Sequence, residues 1–310
     1  MNRDKLIGNL LLLITSLIWG SAFVAQRVGM DYVGPLTFTA VRFWLGAIVL
    51  LPVYYFTNKK KTYSTDMENL DNDQDDPEMI MKKKNALLIA GPLCGMVLFS
   101  GSVLQQYGLV FTTAGKAGFI TALYIILVPV FGLALKQSPG LKSWIGVALA
   151  TVGLYFLTIT ESFSIDKGDF IVLIGAFFWA AHVLIIDHFN PYVNAIKLSI
   201  MQFAICASLG TIGMLIFETP SLQAILSGTI PILYAGILSS GVGFTLQIVG
   251  QKHTSPTVAS LILSMEAVFG AVFGFLILRE IMTLRELFGC LLMFAAVIIS
   301  QLPNRRYERM

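Results

Sequence analysis

Charge is the first thing this sequence is short of. Only 13% of its 310 residues are Asp, Glu, Lys or Arg, against 56% hydrophobic. Soluble domains carry about 25% charged residues, so a water-facing globular surface is excluded and an integral membrane protein is expected. The mean hydropathy of +0.76 agrees. A formal net charge of +3 is too small to imply a nucleic-acid partner. Cysteine is scarce as well: Cys94, Cys206 and Cys290 each lie inside an apolar run, with no CxxC or metal-ligand spacing, and read as small packing residues. His182 and His188 are six apart, point to different faces of a helix and make no metal pair. HExxH, Walker A and GxSxG are missing, and no paired carboxylates sit within an apolar run. Nothing therefore points to an enzyme, a cofactor or ATP-driven work by this chain alone. Alternating ten-residue patterns are missing too, which excludes a transmembrane β-barrel.

What is present is a series of apolar runs of spanning length. They fall at about 6–27, 36–57, 86–107, 113–135, 142–160, 169–187, 196–217, 229–249, 256–278 and 285–302. A helix rises 1.5 Å per residue, so ~20 apolar residues cross a bilayer, and ten transmembrane helices are expected. The first run follows Arg3 and Lys5 but is too long for a signal peptide's apolar core and lacks an A-x-A-like site, so it reads as a retained span. With the N-terminus inside, one side collects Arg3, Lys5, Lys59–Lys61, Lys82–Lys84, Lys136, Lys142, Lys197, Lys252, Arg305, Arg306 and Arg309. The other side keeps Arg27, Lys167, Arg279 and Arg285, so both termini are expected in the cytoplasm. The loop 58–84 is lysine-flanked and rich in Asp and Asn, the composition of a disordered cytoplasmic linker.

Internal repetition organises these runs. Sliding the chain by 160 brings Trp19 onto Trp179, Arg42 onto Gln202 and Phe43 onto Phe203. Sliding by 142 brings Gln105 onto Gln247, Gly108 onto Gly250, Thr112 onto Thr254 and Tyr124 onto Glu266. Two five-span copies result, 1–160 and 161–310. An odd span count inserts the second copy upside down, so the expected fold is all-α, with two inverted five-helix repeats. That is the plan of secondary transporters, where two similar arrangements open to opposite sides.

Glu266 is the leading candidate for function. It sits near the middle of the apolar stretch Pro256–Glu280, where an acid costs roughly 2.5–3.5 kcal/mol on insertion scales. It binds a substrate amine, carries a coupling proton or cation, or holds a neighbouring helix. Its repeat partner Tyr124 is a hydrogen-bonding residue at the same depth. Arg42 and Lys116 are the cations that suit a carboxylate or phosphate, although Lys116 can also snorkel and Arg42 can fasten helices. Trp19, Phe23 and Gln26 share one face of the first span, as Trp179, His182 and Ile186 share one face of the sixth. Such stripes are helix packing or a binding wall. His182 suits a satisfied interhelical bond or a proton relay. Gln105 and Gln247 suit interhelical hydrogen bonding or substrate contact. Arg279 with Glu280, and Arg285 with Glu286, read as closure of the turn between the last two spans.

The segments SLIWGSAFVAQRVG, TAVRFWLGAIVLLP, TTAGKAGFITALYIILVPVFG and SMEAVFGAVFGFLILREIMTLRELFGCLLMFAAVIIS resemble the EamA-type transporters of the drug/metabolite transporter superfamily. The resemblance covers essentially all of 6–302 outside the 58–84 loop. It implies a ten-helix plasma-membrane (inner-membrane) carrier for small metabolites with a central cavity between the repeats. That family usually places Pro after the second-repeat acid. Ala267 stands there in this chain, so the corresponding kink is expected to be lost. The expected function is secondary transport of a small polar metabolite, an amino acid or related compound, by alternating access, with a coupling proton or cation. Export of drug-like or toxic solutes fits the same fold, and a non-transporting structural or sensory protein is the alternative of a different class. The expected partners are a small-molecule substrate and the lipid bilayer. Oligomeric state is left open.

Overall fold

The computed structural model describes residues 3–68, 77–158, 166–278 and 283–302, and among them there is no strand. The helices are α1 (Arg3–Gly29), α2 (Pro35–Glu68), α3 (Pro77–Phe111), α4 (Ala114–Ala122), α5 (Tyr124–Ala134), α6 (Leu141–Thr158) and α7 (Lys167–Phe189). They continue with α8 (Ala195–Phe217), α9 (Leu222–Ser227) and α10 (Thr229–Leu233). A π-helical segment (Tyr234–Phe244) then runs into α11 (Thr245–Gln251), followed by α12 (Pro256–Leu263), α13 (Met265–Leu278) and α14 (Leu284–Gln301). Among the described residues, nine stretches are long and apolar enough to cross a membrane. The expected fifth span is α6, whose apolar part, Leu141–Leu157, is shorter. It covers about 26 Å, slightly less than a hydrocarbon core of ~30 Å.

The surface has the polarity of a membrane protein. Phe217, Ile230 and Leu284 are more than 70% exposed, while Ser16, Gln202, Ser240 and Ser264 are fully buried. In lipid no hydrophobic drive holds helices together, so small residues and interhelical hydrogen bonds do more of the work. α3 lies against α7, α2 against α8, and α6 against α14. α1 packs on α13, on α11 and on the π-helical segment. Where α1 crosses α11, a Cβ on Gly8 would stand 2.8 Å from the Gly250 carbonyl oxygen, and one on Gly250 would stand 2.9 Å from that of Gly8. Where α3 crosses α7, Gly108 and Gly168 meet in the same reciprocal way, at 2.9 and 2.8 Å. Any side chain at these crossings would push the backbones apart.

Two expectations need correcting. The stretch 58–84 is helical at both ends, since α2 runs to Glu68 and α3 starts at Pro77. A helix already nucleated in the packed bundle extends by one bond per residue, so a polar sequence follows it outward. Residues 69–76 of that stretch lie outside the described residues, as do Arg279 and Glu280. The second correction concerns Ala267. The span carrying Glu266 is interrupted at Ser264 even without the proline. Ser264 donates its hydroxyl to the Leu261 carbonyl at 2.8 Å and Ser260 to that of Thr257 at 2.9 Å. Such back-bonding bends helices. The turn tightens locally, with the Ala267 amide donating to the Ser264 carbonyl three residues back. The partner span breaks at Leu123, with φ −61° and ψ −11° against −63° and −12° at Ser264. Tyr124 and Glu266 each lie at the start of the half-helix that follows.

Candidate functional site

A cavity of about 40 Å³ lies at the centre of the bundle, between α1, α2, α3, α7, the π-helical segment, α11 and the two broken spans. At about 10–15 Å³ per water it holds roughly three. Trp19, Arg42, Gln105, Tyr124, Trp179, His182, Gln247 and Glu266 all line it. Phe23, Gln26, Thr121, Val183, Ser239, Phe244 and Leu263 complete the wall. Gly20 makes the approach possible: a Cβ there would stand 2.7 Å from the Glu266 carbonyl oxygen, so α1 presses directly on the acid-bearing turn.

One side of the cavity is a connected polar network. Arg42 donates from Nη1 to Gln26 Oε1 at 3.0 Å, and Gln105 Nε2 donates to the same oxygen at 3.0 Å. Gln105 Oε1 accepts from Trp179 Nε1 at 3.1 Å and from the Thr121 hydroxyl at 3.4 Å. Gln105 therefore joins α1, α4 and α7. The Arg42 guanidinium also lies over the Phe43 ring, 4.7 Å from its centroid, and 5.7 Å from that of Phe38. Its exposure is 2%, yet among the described residues it forms no ion pair, and its Nε has no partner. Glu266 is 3% exposed and also outside any ion pair among the described residues, with Oε1 unpartnered. The Tyr124 hydroxyl and the Glu266 carboxyl interact across the cavity, at a geometry short of a well-formed hydrogen bond. Gln247 Oε1 is unpartnered too. Buried polar groups are normally paired, so this group of exceptions around one cavity is informative.

The aromatic wall centres on Phe244. Its ring lies 4.7 Å from that of Trp19, 5.9 Å from Trp179 in a nearly parallel stack, and 5.8 Å from His182. Trp19 spends its indole N–H on the Ser239 carbonyl at 3.2 Å. His182 pairs with Gln202 of α8 at 2.9 Å. Ile186, which shares the sixth-span stripe, packs elsewhere, among Ala90, Leu198 and Ile248.

Lys116 is the sequence candidate that the structure does not bring to this cavity. It sits where α4 meets α7, donating to Asp169 Oδ2 at 3.1 Å and lying 3.5 Å from Asp166. Asp169 also accepts from the Thr112 hydroxyl at 2.6 Å and from the Asp166 amide at 3.1 Å. A lysine near a span end pairs with whatever carboxylate the neighbouring helix offers, and here that is the first turn of α7. Glu286 is likewise structural: it caps α14 by accepting from the Thr283 amide and hydroxyl at 2.6 and 2.8 Å. No group of three His, Cys, Asp or Glu residues able to hold a metal occurs among the described residues. Sequence reasoning missed Phe244, Ser239 and Thr121. The 142-residue slide pairs Phe244 with Ser102, so no repeat marks it, and its π-helical setting breaks the 3.6-residue periodicity by which a helix face is read.

A polar, aromatic-walled cavity enclosed by apolar spans defines a multi-pass membrane protein of the transporter class. The EamA-like transporter family model matches residues 6–159 and 166–302, and the chain belongs to that family. An uncharacterized transporter of Archaeoglobus fulgidus is 30% identical over 300 residues, covering 96% of this chain and 87% of the relative. The uncharacterized transporter YoaV of Bacillus subtilis is 25% identical over 291 residues, 92% of this chain and 93% of its own. A solved crystal structure superposes with a TM-score of 0.72 over 97% of this chain and 98% of its own, at 16% identity, which shows a shared fold.

Proposed function

We propose that the chain is a secondary transporter of a small polar metabolite carrying both a cationic and an anionic group, an amino acid or close relative, working by alternating access in the plasma membrane. The observation that carries this reading is the pair Arg42 and Glu266: a cationic and an acidic side chain lining one buried cavity, without ion-pair partners among the described residues. Leaving a charge buried and unpaired costs several kcal/mol. A zwitterion offsets that cost at both ends, its carboxylate against Arg42, Gln26 and Gln105 and its amine against Glu266, Tyr124 and Gln247. Glu266 can instead take a coupling proton, and its two roles separate by experiment.

Alternating access rests on ten spans arranged as two inverted halves, and paired contacts support that arrangement. Gly8 with Gly250 and Gly168 with Gly108 are equivalent crossings under the 160- and 142-residue slides. Under the same slides the Thr112–Asp169 hydrogen bond corresponds to that from Thr254 to Asn9, 2.8 Å long. The two latches lie at opposite ends of the bundle. The one expected outside is charged through Lys116. The one expected inside is neutral, Asn9 donating onward to Gln301 at 3.0 Å. Lysine placement supports a cytoplasmic position for both termini.

Counterflow in proteoliposomes tests the reading. Protein loaded with unlabelled amino acids should accumulate the matching labelled one. Glu266→Gln should lose that exchange if the carboxylate binds the amine, or keep exchange and lose pH dependence if it carries the proton. Unchanged exchange with unchanged pH dependence removes Glu266 from the mechanism.

A further inference from the structure

Phe244 is the bulkiest group reaching into the central cavity that neither half of the repeat explains. Its counterpart under the 142-residue slide is Ser102, fully buried with an unpartnered hydroxyl. One half thus offers a small polar group where the other offers a phenyl ring. The ring is only 4% exposed and meets aromatic rings from both halves: Trp19 and Phe43 from the first, Trp179, His182 and Phe203 from the second.

Its backbone setting is unusual as well. Phe244 ends the eleven-residue π-helical segment Tyr234–Phe244, and π-turns inside helices are rare and gather at functional sites. The segment is held open to its neighbours by glycine. A Cβ on Gly243 would stand 2.6 Å from Trp19 Nε1, and one on Gly236 would stand 3.1 Å from the Arg42 carbonyl oxygen. The irregular turn therefore seats Phe244 against the same tryptophan and the same arginine-bearing helix that line the cavity.

We infer that Phe244 sets the size of cargo the cavity accepts, its ring occupying the space a larger cargo side chain would need. This rests on the proposed transport of a zwitterion. The polar groups grip the head of the cargo and are the same for every member of the class. Selection among members then falls to the apolar wall. The present space admits roughly three waters, and a cavity of about 150 Å³ lined by apolar side chains holds a benzene. Removing the phenyl ring opens space of that order.

The test is binding of glycine, alanine, leucine and phenylalanine to the purified full-length protein, read by thermal shift and calorimetry. These probes share one zwitterionic head and differ only in side-chain size. The wild type should prefer the smallest probes. Phe244→Ala should shift preference toward leucine and phenylalanine by about ten-fold or more, the discrimination an apolar pocket gives for a change of a methylene or larger. Phe244→Leu, which keeps most of the packing, should fall between and guards against loss of fold in the alanine variant. Binding with one unchanged size ranking in all three proteins overturns the role of Phe244 and leaves the zwitterion reading standing. Binding of none of the four probes to any of the three overturns the zwitterion reading and this inference together.

Discussion

Asp169 offers the sharpest mechanical prediction. Replacing it by Ala removes the acceptor for the Thr112 hydroxyl, for Lys116 and for the Asp166 amide at once. A hydrogen bond to a charged group contributes about 1.5–3 kcal/mol and a helix-capping one about 0.5–2 kcal/mol. The Lys116 side chain is 37% exposed, so screening holds that ion pair to about 1 kcal/mol or less. Allowing for non-additivity, the loss is about 3 kcal/mol. If the latch exists only while the outer end is shut, this loss shifts the open-to-shut ratio roughly a hundred-fold, at ten-fold per 1.4 kcal/mol. Asp169→Asn keeps an oxygen for Thr112 but puts an NH2 where Oδ2 accepts from Lys116 and the Asp166 amide, so its shift should be smaller than that of Asp169→Ala, about ten-fold. The assay is labelling of Thr121→Cys in the central cavity by a membrane-impermeant thiol reagent added outside. The buried Cys94, Cys206 and Cys290 are replaced by Ala beforehand. Labelling should rise in the order wild type, Asp169→Asn, Asp169→Ala. Equal rates in all three, with a lowered melting temperature in Asp169→Ala, would refute the latch and leave Asp169 as static support.

Other consequences follow from the same contacts. Asn9→Ala removes the acceptor for Thr254 and the donor to Gln301 at the opposite end, and should raise labelling of the same cysteine from the cytoplasmic side in inverted vesicles. Rising salt should raise outside labelling of the wild type and leave inside labelling unchanged, because only the outer latch is charged and part of its ion pair is screened. Gly250→Ala drives a Cβ to within 2.9 Å of the Gly8 carbonyl oxygen and should cost about 1–3 kcal/mol, read as a lower melting temperature. Lys116→Met should leave ligand affinity at the central cavity unchanged, since Lys116 does not line it. A ten-fold loss of affinity in that variant would return Lys116 to the site.

The parts of the site legible in the sequence were those that an apolar run makes conspicuous. Glu266 and Arg42 stand out because a charge inside a span needs a physical reason. Gln105, Gln247 and Tyr124 stand out because the repeat carries each onto a polar counterpart. The structure groups all of them around one cavity. The partner of Lys116 was not legible, because a cation at a span end looks the same whether it faces a cavity or a neighbouring helix, and Asp169 is 53 residues away. The break at Ser264 was hidden because two serine hydroxyls bonding back to carbonyls do what a proline was expected to do. Phe244 was hidden for the opposite reason: a phenylalanine in a glycine-rich apolar run carries no mark, and only the π-helical turn reveals where its ring sits. The helices themselves were legible from run length alone, except where α2 and α3 extend past the apolar runs into polar sequence.

The most direct test of the central claim is counterflow of labelled amino acids in proteoliposomes by the wild type, Arg42→Met and Glu266→Gln, each first shown to be folded by its melting temperature. Exchange by the wild type, lost at least a hundred-fold in Arg42→Met and lost or freed of pH dependence in Glu266→Gln, is the result expected of a cavity that holds its cargo between these two charges. Exchange that survives both substitutions at the wild-type rate and pH profile would contradict it.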